Sequence, residues 1–140
     1  MMSEVALSVR STNFVESRIT AISVDDAKSA LEISFRAQDR SVFVLVANEI
    51  DRLLVSEFRE QNIVDRAHFW DSTSLSSDYR SSLVELLFGA NETEISLDLR
   101  PLVQQAIDEI QSGDKVFFEM ESLYGASVNF IARKITITRA

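Results

Sequence analysis

The 140-residue chain contains no cysteine, one proline, three glycines and one histidine. Without cysteine it forms no disulfide, thiolate metal site, iron–sulfur cluster or thiol nucleophile. A single histidine also excludes a metal site built from two histidines of one chain. The shortage of glycine and proline argues against long loops or disorder, and 46% hydrophobic residues suffice for an ordinary core. The sequence therefore predicts one domain over residues 1–140.

Long apolar segments and catalytic motifs are also missing. The longest apolar run, residues 42–47, is far shorter than the roughly 20 residues of a spanning helix. The first twenty residues are charged and have no apolar segment of the kind found in signal peptides. No glycine-rich phosphate loop and no G-x-S-x-G elbow occurs. We therefore expect a cytoplasmic protein that binds neither membrane nor metal, uses no cofactor, has no catalytic residue and is not an enzyme.

The net charge of −8 is unevenly distributed along the chain. Residues 47–121 hold sixteen acidic and six basic side chains, whereas residues 122–140 hold three basic and no acidic ones. Nucleic-acid binding requires clustered lysine and arginine, so the acidic segment argues against it. The same charge suits a basic protein partner, although acidity also commonly serves solubility alone.

The hydrophobic periodicity predicts strands near the amino terminus. A short strand is expected near residues 5–9, followed by a weaker strand with a bulge within 14–24. Residues 31–37 alternate cleanly, and a polar turn separates them from the apolar run 42–47. Ile50, Leu53, Leu54 and Phe58 then recur at helical spacing, which predicts an amphipathic helix over residues 47–60.

The second half of the chain combines helices with a hairpin. We predict a strand over 62–70, a helix over 79–87 and, from the clearest apolar stripe, a helix over 99–110. A serine before Asp78 and then Asp98 are the expected N-caps of the helices, and Gly89 and Gly113 their ends. Residues 116–137 read as a β-hairpin. The fold class is α+β: a mostly antiparallel sheet, made of an N-terminal meander and a C-terminal hairpin, covered by two or three helices.

The segment around the single histidine is the most varied in chemistry. Alternation on the predicted strand places Arg66, His68 and Trp70 on one face. A histidine beside a carboxylate can act as a general base, and a tryptophan can stack on a flat ligand. This predicts a small-molecule site, in a binding protein or minor enzyme. The alternative is a half-buried strand whose aromatic side chains complete the core.

Other short patterns have plainer interpretations. Asp25 and Asp26 could bind a divalent cation, but adjacent carboxylates more often serve a turn. Tyr124 and Gly125 could form a recognition tip or merely a turn. Basic residues near the carboxyl terminus could contact a phosphate, although charges at a sheet edge usually prevent aggregation.

Taken together, the sequence favours a non-catalytic protein-interaction module that binds a basic protein partner through its acidic segment. Asp51, Glu57, Asp71 and Asp78 lie on predicted polar faces and are the expected contact residues. Size and acidity are similar to those of immunity proteins that neutralise basic toxins, a likeness of composition only. A structural homodimer, formed through a free strand edge or an exposed helix face, is a further hypothesis.

Overall fold

A computed structural model describes residues 5–139 as an antiparallel sheet with two α-helices. Seven strands make up the sheet: β1 (Val5–Leu7), β2 (Arg18–Asp25), β3 (Ala30–Arg36), β4 (Val42–Ser56), β5 (Ile63–Trp70), β6 (Val116–Tyr124) and β7 (Ser127–Arg139). The helices are α1 (Ser76–Phe88) and α2 (Arg100–Gln111), and a 3₁₀ turn at Leu97–Leu99 leads into α2. The α+β class, the N-terminal meander β2–β3–β4 and the C-terminal hairpin β6–β7 are confirmed.

Six of the strands close into a ring. Their order is β7-β4-β3-β2-β5-β6, and β6 pairs again with β7. The short strand β1 pairs beside β6 on the same edge of β7. In ring order, β2 and β3 lie opposite β7 and β6. The interior is filled by apolar side chains from every strand of the ring, among them Ile33, Phe35, Leu45, Met120 and Phe130.

The predicted helix over residues 47–60 is wrong, because most of this segment continues β4. The pairing of β4 with β7 runs from Phe43 to Ser56 with one register shift, between Ile50 and Arg52. At a β-bulge, two residues of one strand lie opposite a single residue of the other. The strict alternation of inward-facing and outward-facing side chains is therefore interrupted there.

The consequence of this irregularity is a spacing that imitates a helix. Glu49 has a left-handed backbone (φ 53°), and the side chains packed against the interior are those of Ala47, Ile50 and Leu53, after which alternation resumes at Val55. An apolar residue every third position is also what one face of a helix presents. The strand therefore carries the sequence pattern of an amphipathic helix.

The ring has one thin seam, between β2 and β5. These strands share a single residue pair, Arg18 with Ile63. The segment before β2 reinforces the seam: Glu16 N donates to Val64 O (2.7 Å), and Val64 N donates to Ser17 O (2.9 Å). Phe14, in the same segment, inserts into the interior and meets three other phenylalanine rings edge-on at 5.4–5.7 Å.

Both helices lie on the outer face of the ring. Their buried side chains, such as Tyr79, Leu83, Val103 and Ile107, pack in one cluster with Phe117 of β6 and Ile131 of β7. No helix within residues 5–139 has both the length and the apolar character needed to cross a bilayer.

The ends of the helices differ in part from expectation. Gly89 adopts the left-handed conformation (φ 67°) and closes α1 as predicted. The predicted serine and Asp98 caps are wrong: Leu75 and Leu99 occupy the two N-cap positions, and neither helix has a side-chain cap hydrogen bond. Most helix stability in proteins comes from packing of an apolar face, and both helices bury such a face against the sheet.

Candidate functional site

The outer face of β5 brings His68 and Trp70 together. Their rings stack, with centroids 5.4 Å apart and planes 13° apart. Trp70 also approaches the ring of Phe117 at 5.0 Å and that of Tyr79 at 5.9 Å. Trp70 is therefore part of the packing between sheet and helices, as the alternative interpretation expects, while its other face meets the histidine.

A half-buried carboxylate lies opposite the histidine. Glu119 of β6 is the register partner of His68. Burial raises the pKa of the Glu119 carboxyl above its usual value, with help from the nearby negative charge of Glu121, whereas a hydrogen bond with the Ser82 side chain acts in the opposite direction. Glu119 therefore lies beside His68 in a site where its charged form is disfavoured.

Arg66 lies apart from this pair. Its side chain is 65% exposed, and its Nε is 3.5 Å from carboxylate oxygens of both Asp65 and Glu121. A cavity of about 230 Å³ is lined by residues that include His68 and Trp70 but not Arg66. Ligand pockets usually measure about 300–1,000 Å³. The structure thus joins two of the three predicted ligand-binding residues, and the small-molecule site stays a prediction.

Two of the four predicted partner contacts already have ion-pair partners. Asp51 accepts a hydrogen bond from Lys115 Nζ at 2.9 Å. Burial acts to raise the pKa of Asp71, but hydrogen bonds from Thr73 and Arg10 outweigh it and hold that pKa below its usual value. Both carboxylates remain partly accessible, and their role in binding stays a prediction.

The other two predicted contacts, Glu57 and Asp78, are exposed. Glu57 follows the end of β4, beside the start of β7, whereas Asp78 lies in the first turn of α1. Asp71 follows Trp70, whose register partner is Phe117 near the start of β6. Glu57 and Asp71 therefore lie toward opposite ends of the β6–β7 hairpin, and the four carboxylates do not form one patch.

A second acidic region comprises the two helices and the segment that joins them. Residues 76–115 carry eight acidic and three basic side chains. Leu97 of the 3₁₀ turn is 73% exposed and Leu102 of α2 is 49% exposed. Glu94 and Asp98, both exposed, flank Leu97 along the chain. We call these four residues the acidic–leucine surface.

Sequence reasoning missed this surface because Leu102 belongs to the apolar stripe of α2. The stripe is wider than the face that α2 buries, since Val103, Ile107 and Ile110 alone supply the fully buried positions. The sequence does not distinguish such leucines from core residues. Their exposure to solvent is evident only in the folded chain.

A larger cavity of about 660 Å³ opens beside the β4 bulge. Charged residues of both signs line it. Lys115 pairs with Asp51 and Glu109, and Arg133 Nη1 lies 3.3 Å from Glu49 Oε2, whereas Lys28 forms no ion pair among the described residues. Within residues 5–139, no three side chains of the kinds that bind metals converge as a metal site requires. Two of the three cations of this cavity are therefore already paired with its carboxylates.

Comparisons of the chain with protein-family models, with curated protein sequences and with solved structures gave no match. Function is consequently argued from the geometry and chemistry of the residues described above.

Proposed function

We propose that the protein is a non-catalytic interaction module that binds a basic protein partner through the acidic–leucine surface. The observation that carries the proposal is the exposure of Leu97, at 73%, between the carboxylates of Glu94 and Asp98. Protein interfaces typically place an apolar anchor inside a polar rim. Leu97 and Leu102 would supply the anchor, and the carboxylates would supply the rim.

The charges of residues 76–115, which we call the helical layer, support a basic partner. Of its three cations, Arg80 is 2.7 Å from Glu92, Lys115 pairs with Asp51 and Glu109, and the exposed Arg100 forms no ion pair among the described residues. These ion pairs leave most of the layer's acidic side chains without a cation, Glu94 and Asp98 among them. Complementary charge speeds association and selects partners, and its effect weakens as salt screens it.

The packing of the ring supports a binding role over a catalytic one. Catalytic sites are usually concave and enclosed, whereas the space inside this ring is occupied by a continuous apolar cluster. Leu97 and Leu102 are exposed and lie outside the interior cluster of the ring, which suits contact with another macromolecule.

Chemical cross-linking in lysate of the source cells, followed by mass spectrometry, tests the proposal. We expect wild type to capture a basic protein at low salt, and Leu97→Ser and Asp98→Lys to lose it. Leu123→Ser is a matched control, because Leu123 is 69% exposed but lies at the end of β6. Glu32→Lys on β3 controls for the charge reversal. Equal capture by all four variants, or capture indifferent to salt, would contradict the proposal.

A homodimer is the second candidate, favoured by the edge of β2. Beyond Arg18, β2 has no residue pairing with β5 within the described part of the chain, so residues 21–25 present one unpaired edge. Exposed edges readily pair with another strand. Val24, 54% exposed, lies on this edge. If the edge dimerises, sedimentation velocity will show a concentration-dependent dimer that Val24→Lys abolishes; a monomer at every concentration would exclude it.

A further inference from the structure

The seam between β2 and β5 opens into a second cavity of about 660 Å³. It is lined by Glu16, Arg18, Arg36, Ala37, Gln38, Arg40, Ile63 and Leu123, and we call it the seam cleft. Three guanidinium groups line it against one carboxylate. That carboxylate, Glu16, accepts a hydrogen bond from the side-chain amide of Gln38. In a chain of net charge −8, this is a local excess of positive charge.

Two of these arginines face each other directly. Arg18 of β2 is the register partner of Arg36 of β3. Like charges in this position destabilise an antiparallel pair. Neither side chain, nor that of Arg40 in the following turn, forms an ion pair within the described residues. Among the described residues no ion pair offsets this repulsion directly, and the one carboxylate of the cleft, Glu16, is engaged with Gln38.

The backbone around the cleft is also strained. Glu16 (φ 64°) and Arg40 (φ 70°) both adopt the left-handed conformation, which is costly for side chains other than glycine. Strain of this kind concentrates at ligand-binding positions. The cavity beside the β4 bulge has the same volume and also holds left-handed residues, Ser29 and Glu49, but four carboxylates line it against three cations, two of which are paired. In the seam cleft, by contrast, cations outnumber carboxylates three to one, and none of the three forms an ion pair among the described residues.

We propose that the seam cleft binds a small soluble organic phosphate. A phosphate monoester offers three terminal oxygens and up to two negative charges, which matches three guanidinium forks better than a carboxylate does. The cleft is far larger than inorganic phosphate, and its size falls in the usual range for small-molecule sites. Ala37, Ile63 and Leu123 supply an apolar wall for the organic part.

The proposed ligand also has a structural effect. By neutralising Arg18 and Arg36, it would relieve the repulsion between β2 and β3. Because Ile63 and Leu123 belong to β5 and β6, the same molecule would bridge the thin seam of the ring. This role is independent of the acidic–leucine surface, which lies in the helical layer on another side of the ring.

Titration followed by amide NMR spectroscopy tests the proposal, with phenyl phosphate, inorganic phosphate and benzoate as probes. We expect phenyl phosphate to shift signals of residues 16–18 and 36–40 saturably, and to bind at least ten-fold more tightly than benzoate. Inorganic phosphate should bind several-fold more weakly than phenyl phosphate, because it does not use the apolar wall. Equal affinity of all three probes, or shifts spread over every exposed arginine, would overturn the proposal.

Variants separate a built site from general charge attraction. Arg36→Gln should weaken phenyl phosphate binding at least ten-fold, and Arg36→Lys should do so less. Arg100→Gln is the control, because it removes the same charge from an exposed position on α2. Equal losses in Arg36→Gln and Arg100→Gln would overturn the proposal.

Two further measurements complete the test. Without ligand, Arg36→Gln should melt at a higher temperature than wild type, since it removes the repulsion with Arg18; a lower melting temperature would argue against an uncompensated pair. Vesicles containing phosphatidic acid carry the same phosphate chemistry on a lipid. The protein should stay in the supernatant when they are sedimented. Co-sedimentation that Arg36→Gln abolishes would replace the soluble ligand with a lipid headgroup.

Discussion

Asn62 holds together two segments that are distant in sequence, so its removal should be costly. Its side chain is buried, at 1% exposure. The Oδ1 atom accepts hydrogen bonds from the backbone N–H groups of Arg59 and Ala126, both at 2.9 Å, and Nδ2 donates to the Arg59 carbonyl at 2.8 Å. One amide thereby fixes the segment before β5 against the turn of the β6–β7 hairpin.

The cost of Asn62→Ala follows from these three hydrogen bonds. The N–H of Ala126 is buried, and a buried donor left without an acceptor costs about 1–3 kcal/mol. The backbone N–H and C=O of Arg59 belong to an exposed residue, so water can replace Asn62 as their partner. The net loss of stability is then about 0.5–1 kcal/mol for each hydrogen bond. We expect the variant to lose about 2–5 kcal/mol of unfolding free energy, out of the roughly 5–15 kcal/mol typical of a domain.

Urea denaturation followed by Trp70 fluorescence and circular dichroism measures this loss. The midpoint should fall while the m-value stays unchanged, since the variant exposes the same surface on unfolding. Asn91→Ala is the matched control: Asn91 donates to Glu94 Oε1 at an exposed site, and its loss should cost less than about 0.5 kcal/mol. An Asn62→Ala midpoint equal to that of Asn91→Ala would refute the reasoning.

Three other predictions concern backbone, charge and packing. Gly125→Ala should lose about 1–3 kcal/mol more than Gly113→Ala: both glycines have φ near +90°, but only at Gly125 would the new Cβ lie 2.5 Å from a backbone carbonyl oxygen. Urea titrations of the two variants decide this, and equal losses would contradict it. Because the pKa of Glu119 is raised in the folded state, wild-type stability should fall as pH rises from the ordinary glutamate pKa to that raised value. The stability advantage of Glu119→Gln should grow over the same interval and then level off; parallel pH profiles would disprove the assignment. Phe14→Ala should cost about 3–5 kcal/mol in the same assay, and Phe58→Ala, at a half-exposed position, should cost far less.

The helix α2 and the bulged strand β4 show what periodicity can and cannot predict. In α2 the spacing of the apolar residues arises from a regular helix, so its bounds followed from the sequence. In β4 a left-handed Glu49 and a bulge produce nearly the same spacing from an extended chain. Local patterns cannot distinguish these cases, because pairing with β7, some 80 residues away, decides between them.

The seam cleft was beyond sequence reasoning for a related reason. The pairing of β2 with β3 shifts by one residue between Ile19 and Ala21. The sequence predicts a bulged strand in this region. The exact position of the bulge decides which side chains of β2 and β3 face each other, and the observed position brings Arg18 opposite Arg36. The remaining walls come from β5 and β6, which no local pattern places beside β2.

The most direct test of the proposed function is site-specific photo-cross-linking in the source cells. A benzoylphenylalanine introduced at position 97 would report contacts of the acidic–leucine surface, and the same group at position 123 would report an equally exposed position elsewhere. We predict a cross-link to a basic protein from position 97, lost when Asp98→Lys is added, and none to that protein from position 123. Cross-links to it from position 123 alone, or equally from both positions, would contradict the account.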